Sequence, residues 1–116
     1  MAYSLNCAEV AAAVESGMTG ADSIEAVVQK LTPPRAIWSM VPAGSPTDNV
    51  VDTLTNVLDR GDTIIDGANS NYKDSIRRAA RVNKLGLNYL DAGTSGGVWG
   101  LQNGYSLMVG GEPEVF

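Results

Sequence analysis

The sequence predicts an α/β fold in which a mainly parallel sheet is flanked by helices. Short apolar runs of strand length alternate along the chain with longer stretches whose apolar residues recur at helical spacing. The run at residues 36–41 is nearly continuous in apolar side chains, which is typical of a parallel strand buried on both faces. Glycine or proline bounds most of these stretches. We therefore expect βαβ units joined by right-handed crossovers.

The first third of the chain is predicted to hold a short strand and two helices. Residues 2–5 are interpreted as a strand or the remains of one, and residues 7–16 as a helix that ends before Gly17. The second helix has Asp22 as its N-cap and Glu25 three residues later. Its inner stripe is expected at Ile24, Val27, Val28 and Leu31. A pair of prolines stops this helix.

The middle of the chain is predicted to continue with a strand and a third helix. The strand, residues 36–41, is expected to place Trp38 in the core. The helix has Ser45 as its N-cap, Pro46 at the first helical position and Asp48 at the third. Its inner stripe is expected at Val50, Val51, Leu54, Val57 and Leu58.

The last part of the chain is predicted to hold more strands than helices. The predicted elements are strands at residues 63–65, 87–91 and 105–109, a helix at 71–85, a glycine-rich loop at 93–97 and the first turn of another helix at 112–116. The helix is expected to turn Ile76, Ala79 and Ala80 inward. Its basic residues are expected on a solvated face, where Arg78 pairs with Asp74 one turn earlier.

Composition and charge exclude several classes of function. The 116 residues carry 8 basic and 13 acidic side chains, and a net charge of −5 with a pI near 4.4 argues against a nucleic-acid partner. The chain contains no histidine, which excludes Ser-His-Asp triads and histidine-containing metal sites. Cys7 is the single cysteine, so no internal disulfide forms. Because no apolar run approaches the roughly 20 residues of a membrane span and no signal-peptide pattern occurs, we expect a cytoplasmic protein with no membrane partner.

Three loops are candidates for a ligand site because each follows a predicted parallel strand. They are residues 41–44, 66–70 and 93–97. Ligands of open parallel sheets bind beyond the carboxyl ends of the strands, and small residues there let backbone amides approach the ligand. For one loop taken alone, the alternative that glycine and asparagine only make a turn is the better explanation. Three such loops on one sheet edge favour a site.

The residues in these loops are similar to those of a known family. Residues 40–44 (MVPAG), 64–74 (IIDGANSNYKD) and 91–100 (DAGTSGGVWG) closely resemble 6-phosphogluconate dehydrogenase, decarboxylating, and are nearest to its shorter bacterial type. The three motifs occur in the family order, and the resemblance extends across essentially the whole chain. It implies a Rossmann-like NAD(P)-binding domain.

The resemblance also implies a reaction and a set of binding residues. The reaction oxidises the C3 hydroxyl of 6-phosphogluconate by hydride transfer to NAD or NADP, and loss of CO2 then gives ribulose 5-phosphate, a step of the pentose phosphate pathway. The residues implied by the family pattern are Ser4, Leu5, Asn6, Val41, Pro42, Ala43 and Asn69 for the cofactor, and Asn69, Ser95, Gly96 and Gly97 for the substrate. Residues 4–6 contain neither the acid that favours NAD nor the arginine that favours NADP, so the choice of cofactor stays open.

The chain also departs from the family pattern. The first strand and its G-x-G-x-x-G turn have no counterpart in residues 1–116, which begin where the second strand is expected. The family's catalytic lysine and glutamate lie in a later helical domain, and Lys73 is not that lysine. We therefore expect residues 1–116 to be a partial NAD(P)-binding domain with no catalytic residue of its own, from a parent enzyme that is a homo-oligomer.

Two alternatives stay open at this point. A related β-hydroxyacid dehydrogenase shares the fold and the Ser-Gly-Gly loop, but normally lacks Asn69 and Trp99. The other alternative is a fragment that binds nucleotide or substrate without turnover. Because the first strand is central in a Rossmann sheet, we expect residues 2–5 either to shift into its place beside the strand at 36–41 or to be poorly ordered.

Overall fold

The computed structural model describes residues 2–4, 6–68, 70–95 and 106–111, and these residues contain four helices and four strands. The elements are α1 (Cys7–Glu15), α2 (Ile24–Lys30), β1 (Ala36–Ser39), α3 (Ser45–Val57), β2 (Thr63–Asp66), α4 (Tyr72–Lys84), β3 (Asn88–Ser95) and β4 (Ser106–Gly111). The predicted alternation of helices and strands is confirmed. The chain divides into two compact units, Met1–Pro33 and Pro34–Phe116.

The first unit contains α1 and α2, and each helix begins at a capping side chain. The Asn6 Oδ1 atom accepts a hydrogen bond from the Ala8 amide at 3.0 Å. The Ser23 hydroxyl caps α2 by accepting from the Ala26 amide at 3.0 Å. The prediction of Asp22 as this cap is wrong by one residue, because Ser23 has the extended backbone from which a hydroxyl reaches the amide three residues on.

The strand predicted at residues 2–5 is reduced to one parallel bridge between Ala2 and Gly20. The Ala2 amide donates to the Thr19 carbonyl at 2.8 Å, and the Ala2 carbonyl accepts from the Ala21 amide at 3.0 Å. These bonds already satisfy both backbone groups of Ala2. The predicted shift of this segment to a place beside β1 stays a prediction. The bridge matches a Rossmann sheet, in which the second and third strands are neighbours.

The second unit contains a four-stranded sheet in the order β1-β2-β3-β4. The pairs β1–β2 and β2–β3 are parallel, and β3–β4 is antiparallel, so the prediction of a mainly parallel sheet is confirmed. Helix α4 packs on β3, and α3 packs on β2 and α4. The core of this unit contains the fully buried side chains of Leu54, Ile64, Val82 and Ala92.

Strand β1 differs from its prediction in length and in burial. It ends at Ser39 rather than at residue 41, and its Trp38 side chain is 45% exposed. The prediction of Trp38 as a core residue is wrong. The reason is the position of β1 at one end of the four-stranded sheet, where a strand has a paired neighbour on one side only.

The N-cap of helix α3 is Gly44 and not the predicted Ser45. Gly44 has φ of 90° and ψ of −135°, and its carbonyl accepts the first helical bond from the Asp48 amide at 3.0 Å. A positive φ favours glycine, which has no Cβ to clash with the backbone. The chain therefore turns sharply out of the loop after β1, and Ser45 becomes the first helical residue.

Helix α4 turns a different face inward from the predicted one. Its buried residues are Ser75, Arg78 and Val82, whereas Ile76 is 65% exposed. The predicted inward face of Ile76, Ala79 and Ala80 is wrong. So is the solvated position of Arg78, which is 1% exposed and pairs with residues distant in the sequence.

Strand β3 is longer than predicted, because β4 pairs with its second half. Ala92 lies opposite Val109, and Ser95 lies opposite Ser106. The first residues of the predicted loop at 93–97 are therefore strand, and its last two lie outside the described residues, as do residues 112–116.

In the part of the chain that the structure describes, no helix is both long and apolar enough to cross a membrane.

Candidate functional site

Two of the three parallel strands of the second unit, β1 and β2, end at the same level of the sheet. Ser39, the last residue of β1, pairs with Asp66, the last residue of β2, and Asp66 pairs with Asp91 of β3. The loops that follow β1 and β2 therefore leave the sheet at the same edge. Strand β3 continues four residues past Asp91 and ends at Ser95, so the first three residues of the loop predicted at 93–97 belong to the strand.

The structure places only some of the predicted binding residues. Val41, Pro42 and Ala43 lie in the loop between β1 and α3, where the Thr47 hydroxyl donates to the Pro42 carbonyl at 2.9 Å. Ser95 is the last residue of β3. The residues outside the described part are Leu5, Asn69, Gly96 and Gly97.

Ser4 and Asn6 lie in the first unit and are engaged in local contacts. The Ser4 hydroxyl donates to the Glu9 carboxylate and accepts from the Asn6 amide, the latter at 3.1 Å. The Asn6 side chain caps α1. The contacts expected between these residues and the cofactor stay a prediction.

The Asp66 carboxylate organises the loop that follows β2. It is fully buried, and its Oδ1 atom accepts from the Ala68 amide at 3.0 Å while its Oδ2 atom accepts from the Ser70 hydroxyl at 2.7 Å. Its Oδ2 atom also accepts from the Tyr89 hydroxyl at 3.0 Å. Burial, together with the nearby Asp66 carboxylate, raises the pKa of Tyr89 and keeps its hydroxyl a donor. Asp66 thus holds the residues on both sides of position 69.

Arg78 connects this loop to the one after β1, and the sequence reasoning missed it. Its Nε atom donates to Asp48 Oδ1 at 2.8 Å, and its Nη2 atom donates to the Gly44 carbonyl at 3.3 Å. Its Nη1 atom lies 3.5 Å from Asp66 Oδ2. The hydrogen bond from Arg78 lowers the pKa of Asp48. Burial alone would lower the pKa of Arg78, but Asp48 more than offsets this and the pKa lies above its ordinary value.

A signal for the buried face of α4 is present in the sequence. Val82 is the β-branched apolar residue in the carboxyl-terminal half of the helix, and the positions four and seven residues before it are Arg78 and Ser75. A stripe drawn back from Val82 at helical spacing contains these three residues. The predicted stripe starts at Ile76 instead and continues to Ala79 and Ala80, so it follows the side of the helix on which Ile76 is exposed.

Gly67 provides space for two side chains of β1 and the loop after it. A Cβ atom on Gly67 would lie 2.6 Å from Trp38 Nε1 and would also overlap Met40 Sδ. Both side chains are largely exposed, at 45% and 60%, so they have room to move. Gly67 therefore determines where Trp38 lies at this edge of the sheet.

We expect Gly67→Ala to displace the Trp38 indole with little loss of stability. The free energy of unfolding should change by about 1 kcal/mol or less, because alanine also reduces the entropy of the unfolded chain. The emission of Trp38, recorded in a Trp99→Phe background, should shift to longer wavelength as the ring becomes more exposed. Gly110→Ala is the control, since a Cβ at Gly110 meets no atom within 4 Å. An unchanged spectrum in Gly67→Ala would contradict the contact.

A cavity of about 400 Å³ lies beside the end of the parallel strands. It is lined by Ser70, Asp91, Gly93, Met108, Val109 and Gly110. Its volume lies within the range of small-molecule sites, and burial raises the pKa of Asp91, which favours its neutral form.

Among the described residues, no cluster of acidic, cysteine or histidine side chains could hold a metal ion.

Two helices begin at the same sheet edge. Helix α3 starts six residues after Ser39, and α4 starts six residues after Asp66. The amino terminus of a helix carries partial positive charge, which favours an anionic ligand. A parallel sheet whose carboxyl edge has small-residue loops and helix amino termini is the arrangement of Rossmann-type nucleotide-binding domains.

Comparison with known proteins identifies the family within this class. The family described as the NAD binding domain of 6-phosphogluconate dehydrogenase matches residues 1–116, and the chain belongs to it. The chain is 44% identical over 111 residues to the NAD(+)-dependent, decarboxylating 6-phosphogluconate dehydrogenase of Haloferax volcanii, covering 96% of this chain and 36% of that protein. It is 46% identical over 99 residues to the decarboxylating enzyme of Drosophila melanogaster, covering 85% of this chain and 21% of that protein. The chain thus spans little more than a third of these relatives at most.

Solved structures support the same fold. The 6-phosphogluconate dehydrogenase of Plasmodium falciparum aligns with a TM-score of 0.78 at 31% identity, over 89% of this chain and 22% of that one. A 3-hydroxyisobutyrate dehydrogenase of Mycobacterium tuberculosis aligns with a TM-score of 0.83 at 21% identity, over 95% of this chain and 37% of that one, a likeness of fold alone. The predicted Rossmann-like fold, the family and the cofactor class, NAD or NADP, are confirmed. Both relatives named above are 6-phosphogluconate dehydrogenases, whereas the 3-hydroxyisobutyrate dehydrogenase is similar in fold alone.

Proposed function

We propose that this chain is the cofactor-binding part of an NAD(P)-dependent 6-phosphogluconate dehydrogenase, and that residues 1–116 are a partial Rossmann domain of that enzyme. One observation carries the proposal. Ser39, Asp66 and Asp91 lie in a single row across three parallel strands, so the family's motif loops after β1 and β2 leave the sheet at one edge.

The residues at this edge fit part of a dinucleotide. The loop after β1 has small residues, and a Cβ on Gly44 would meet no atom within 4 Å, which leaves open space for a ligand beside the backbone. Val41, Pro42 and Ala43 would lie along the cofactor, and Asn69 would contact it from the neighbouring loop. No G-x-G-x-x-G turn for a pyrophosphate occurs in the 116 residues. When bound, the cofactor supplies a hydride acceptor.

The substrate site is proposed at Asn69, Ser95, Gly96 and Gly97. Two observations support it. Asp66 accepts hydrogen bonds from the Ala68 amide and from the Ser70 hydroxyl, the residues before and after Asn69. The cavity beside Asp91 is bounded by Ser70, next to Asn69, and by Gly93, two residues before Ser95. An asparagine amide and backbone amides are suitable partners for the hydroxyl and carboxylate oxygens of 6-phosphogluconate.

The proposed reaction is oxidation of the C3 hydroxyl followed by loss of CO2. By the family resemblance, the lysine and glutamate that move protons in it lie in the part of the relatives that this chain does not cover. We therefore expect the 116-residue chain on its own to bind ligand without turnover. This is also the expectation of the alternative that the chain is a binding fragment, and turnover by the chain alone would contradict both.

Calorimetric titration of the chain with 6-phosphogluconate, NAD and NADP tests the proposal. We expect heat of binding for the substrate and for at least one cofactor. Asn69→Ala should weaken substrate binding by about tenfold or more, since loss of a hydrogen bond that leaves a polar group unpaired costs about 1–3 kcal/mol. Asn83→Ala, at an exposed position on α4, is the matched control and should leave binding unchanged. No heat with any of the three ligands, in a chain shown to be folded by circular dichroism, would contradict the proposal.

A further inference from the structure

We propose that Arg78 is a positioning residue that couples the loop after β1 to the loop after β2, so that the two loops hold their ligands as one unit. The claim that both loops hold ligand rests on the proposed function. The coupling itself is a property of the chain without ligand.

The buried guanidinium joins two otherwise separate groups of contacts. On one side, Arg78 donates to Asp48 and to the carbonyl of Gly44, the residue that turns the chain into α3. On the other side, its Nη1 atom lies 3.5 Å from Asp66, which accepts hydrogen bonds from Ala68 and from Ser70. Among the residues described, this is the route by which a side chain of α4 reaches both loops.

The cost of burying Arg78 argues for a role beyond filling space. An arginine at 1% exposure loses its hydration, and a well-packed apolar residue in such a position is often as stable or more so. The guanidinium here is not fully satisfied, because its Nη1 atom has no hydrogen-bond partner among the described residues. The planar guanidinium makes two hydrogen bonds to the start of α3, at Asp48 and at the Gly44 carbonyl, while its third nitrogen lies 3.5 Å from Asp66. A lysine ammonium cannot reproduce this arrangement.

Amide hydrogen exchange measured by NMR on the 116-residue chain tests the coupling. Arg78→Lys keeps the positive charge but removes the planar guanidinium group and its directed donors. We expect it to lower the protection of the Ala68 amide, which is bonded to Asp66, and of the Asp48 amide, which is bonded to Gly44, by about tenfold or more. The Thr63 and Asn88 amides, bonded at the opposite end of the sheet, should stay within about threefold. Equal losses at all four amides, or no loss at any, would overturn the proposal.

Arg81→Lys is the matched control. Arg81 lies one turn later on α4, is exposed, and pairs with Asp52 of α3. The same substitution there also changes a contact between α3 and α4, so it separates general loosening of the two helices from the effect of Arg78. We expect no change at Ala68 or Asp48 in this variant. A loss equal to that in Arg78→Lys would show that any contact between α3 and α4 suffices, against the proposal.

A second variant keeps the test decisive if Arg78→Lys does not fold. Asp48 is partly exposed, and Asp48→Asn weakens only the α3 side of the network. Asp48 does not contact the loop after β2 directly, but it also accepts from Arg77 of α4 at 3.2 Å, so Arg77→Lys is measured beside it. Lower protection of the Ala68 amide in Asp48→Asn but not in Arg77→Lys indicates transmission through Arg78. An effect confined to α3 would contradict the coupling.

Ligand binding gives the functional measurement. We expect Arg78→Lys to weaken 6-phosphogluconate binding by about tenfold and Arg81→Lys to leave it unchanged. If the unmodified chain binds no ligand, the proposed function fails, while the exchange experiment still decides the coupling. If ligand binds but Arg78→Lys has full affinity, the positioning role fails and the proposed function stands.

Discussion

Asp62→Asn is expected to lower the free energy of unfolding of the second unit by about 3–5 kcal/mol, the usual cost of removing one partner of a buried ion pair. Asp62 is fully buried. Its Oδ1 atom accepts from the Arg35 amide at 2.7 Å, and its Oδ2 atom accepts from the Asp59 amide at 2.9 Å and from Arg35 Nη1 at 3.0 Å. An asparagine has one acceptor oxygen, so its NH2 group would face a backbone donor.

Urea unfolding followed by Trp38 fluorescence, in a Trp99→Phe background, measures this loss. Asp59→Asn is the control, because Asp59 pairs with the same Arg35 at 3.2 Å but its side chain is 75% exposed. An exposed pair contributes about 1 kcal/mol or less. Equal losses in the two variants would show that the buried contacts of Asp62 do not stabilise the unit.

The effect of Asp62→Asn should also depend on pH. Burial alone would raise the pKa of Asp62, but the amides of Arg35 and Asp59 and the Arg35 guanidinium together lower it. A carboxyl group whose pKa is lower in the folded state stabilises that state above the pKa of the unfolded chain, about 3.9. This stability is lost as the pH falls through the folded pKa. The difference between the unmodified chain and Asp62→Asn should therefore be full at pH 6 and smaller below about pH 4, and a constant difference would contradict the ionic contribution.

Leu54→Ala is expected to lower the free energy of unfolding by about 3 kcal/mol, within the 2–5 kcal/mol usual for a buried leucine. Leu54 is fully buried on the inner stripe of α3, one turn after Val51. Truncation removes apolar contacts and leaves a cavity that the surrounding core fills only in part. Leu85→Ala is the matched control, since Leu85 is 49% exposed and should cost less than about 1 kcal/mol. The same urea experiment measures both, and similar losses would place Leu54 outside the core.

The alternation of elements could be predicted because it depends on local pattern. The inner stripe of α3 is correct at Val51 and Leu54, where apolar residues at helical spacing face the sheet. The row of strand ends follows from the same reasoning, since parallel strands joined by helices end at one edge. These features need no knowledge of partners distant in the sequence.

The partners of the buried face of α4 could not be predicted in this way. A search for apolar residues places Ile76 inside and Arg78 outside, and the structure has the reverse. The burial of Arg78 depends on Asp48, thirty residues earlier, and on Asp66, twelve residues earlier. No local pattern contains these pairings, so the network that links the two loops became visible only in the folded chain.

The sheet of the second unit pairs each strand with the next one along the chain. The parallel partners are 27 and 25 residues apart, as in Ala36 with Thr63 and Thr63 with Asn88, whereas Ser95 and Ser106 of the antiparallel pair are 11 apart. Because the entropy of closing a loop grows with the logarithm of its length, the antiparallel contact is easier to form than the longest parallel one by about 0.8 kcal/mol. Chain connectivity therefore favours assembly of this sheet from its carboxyl-terminal pair toward β1.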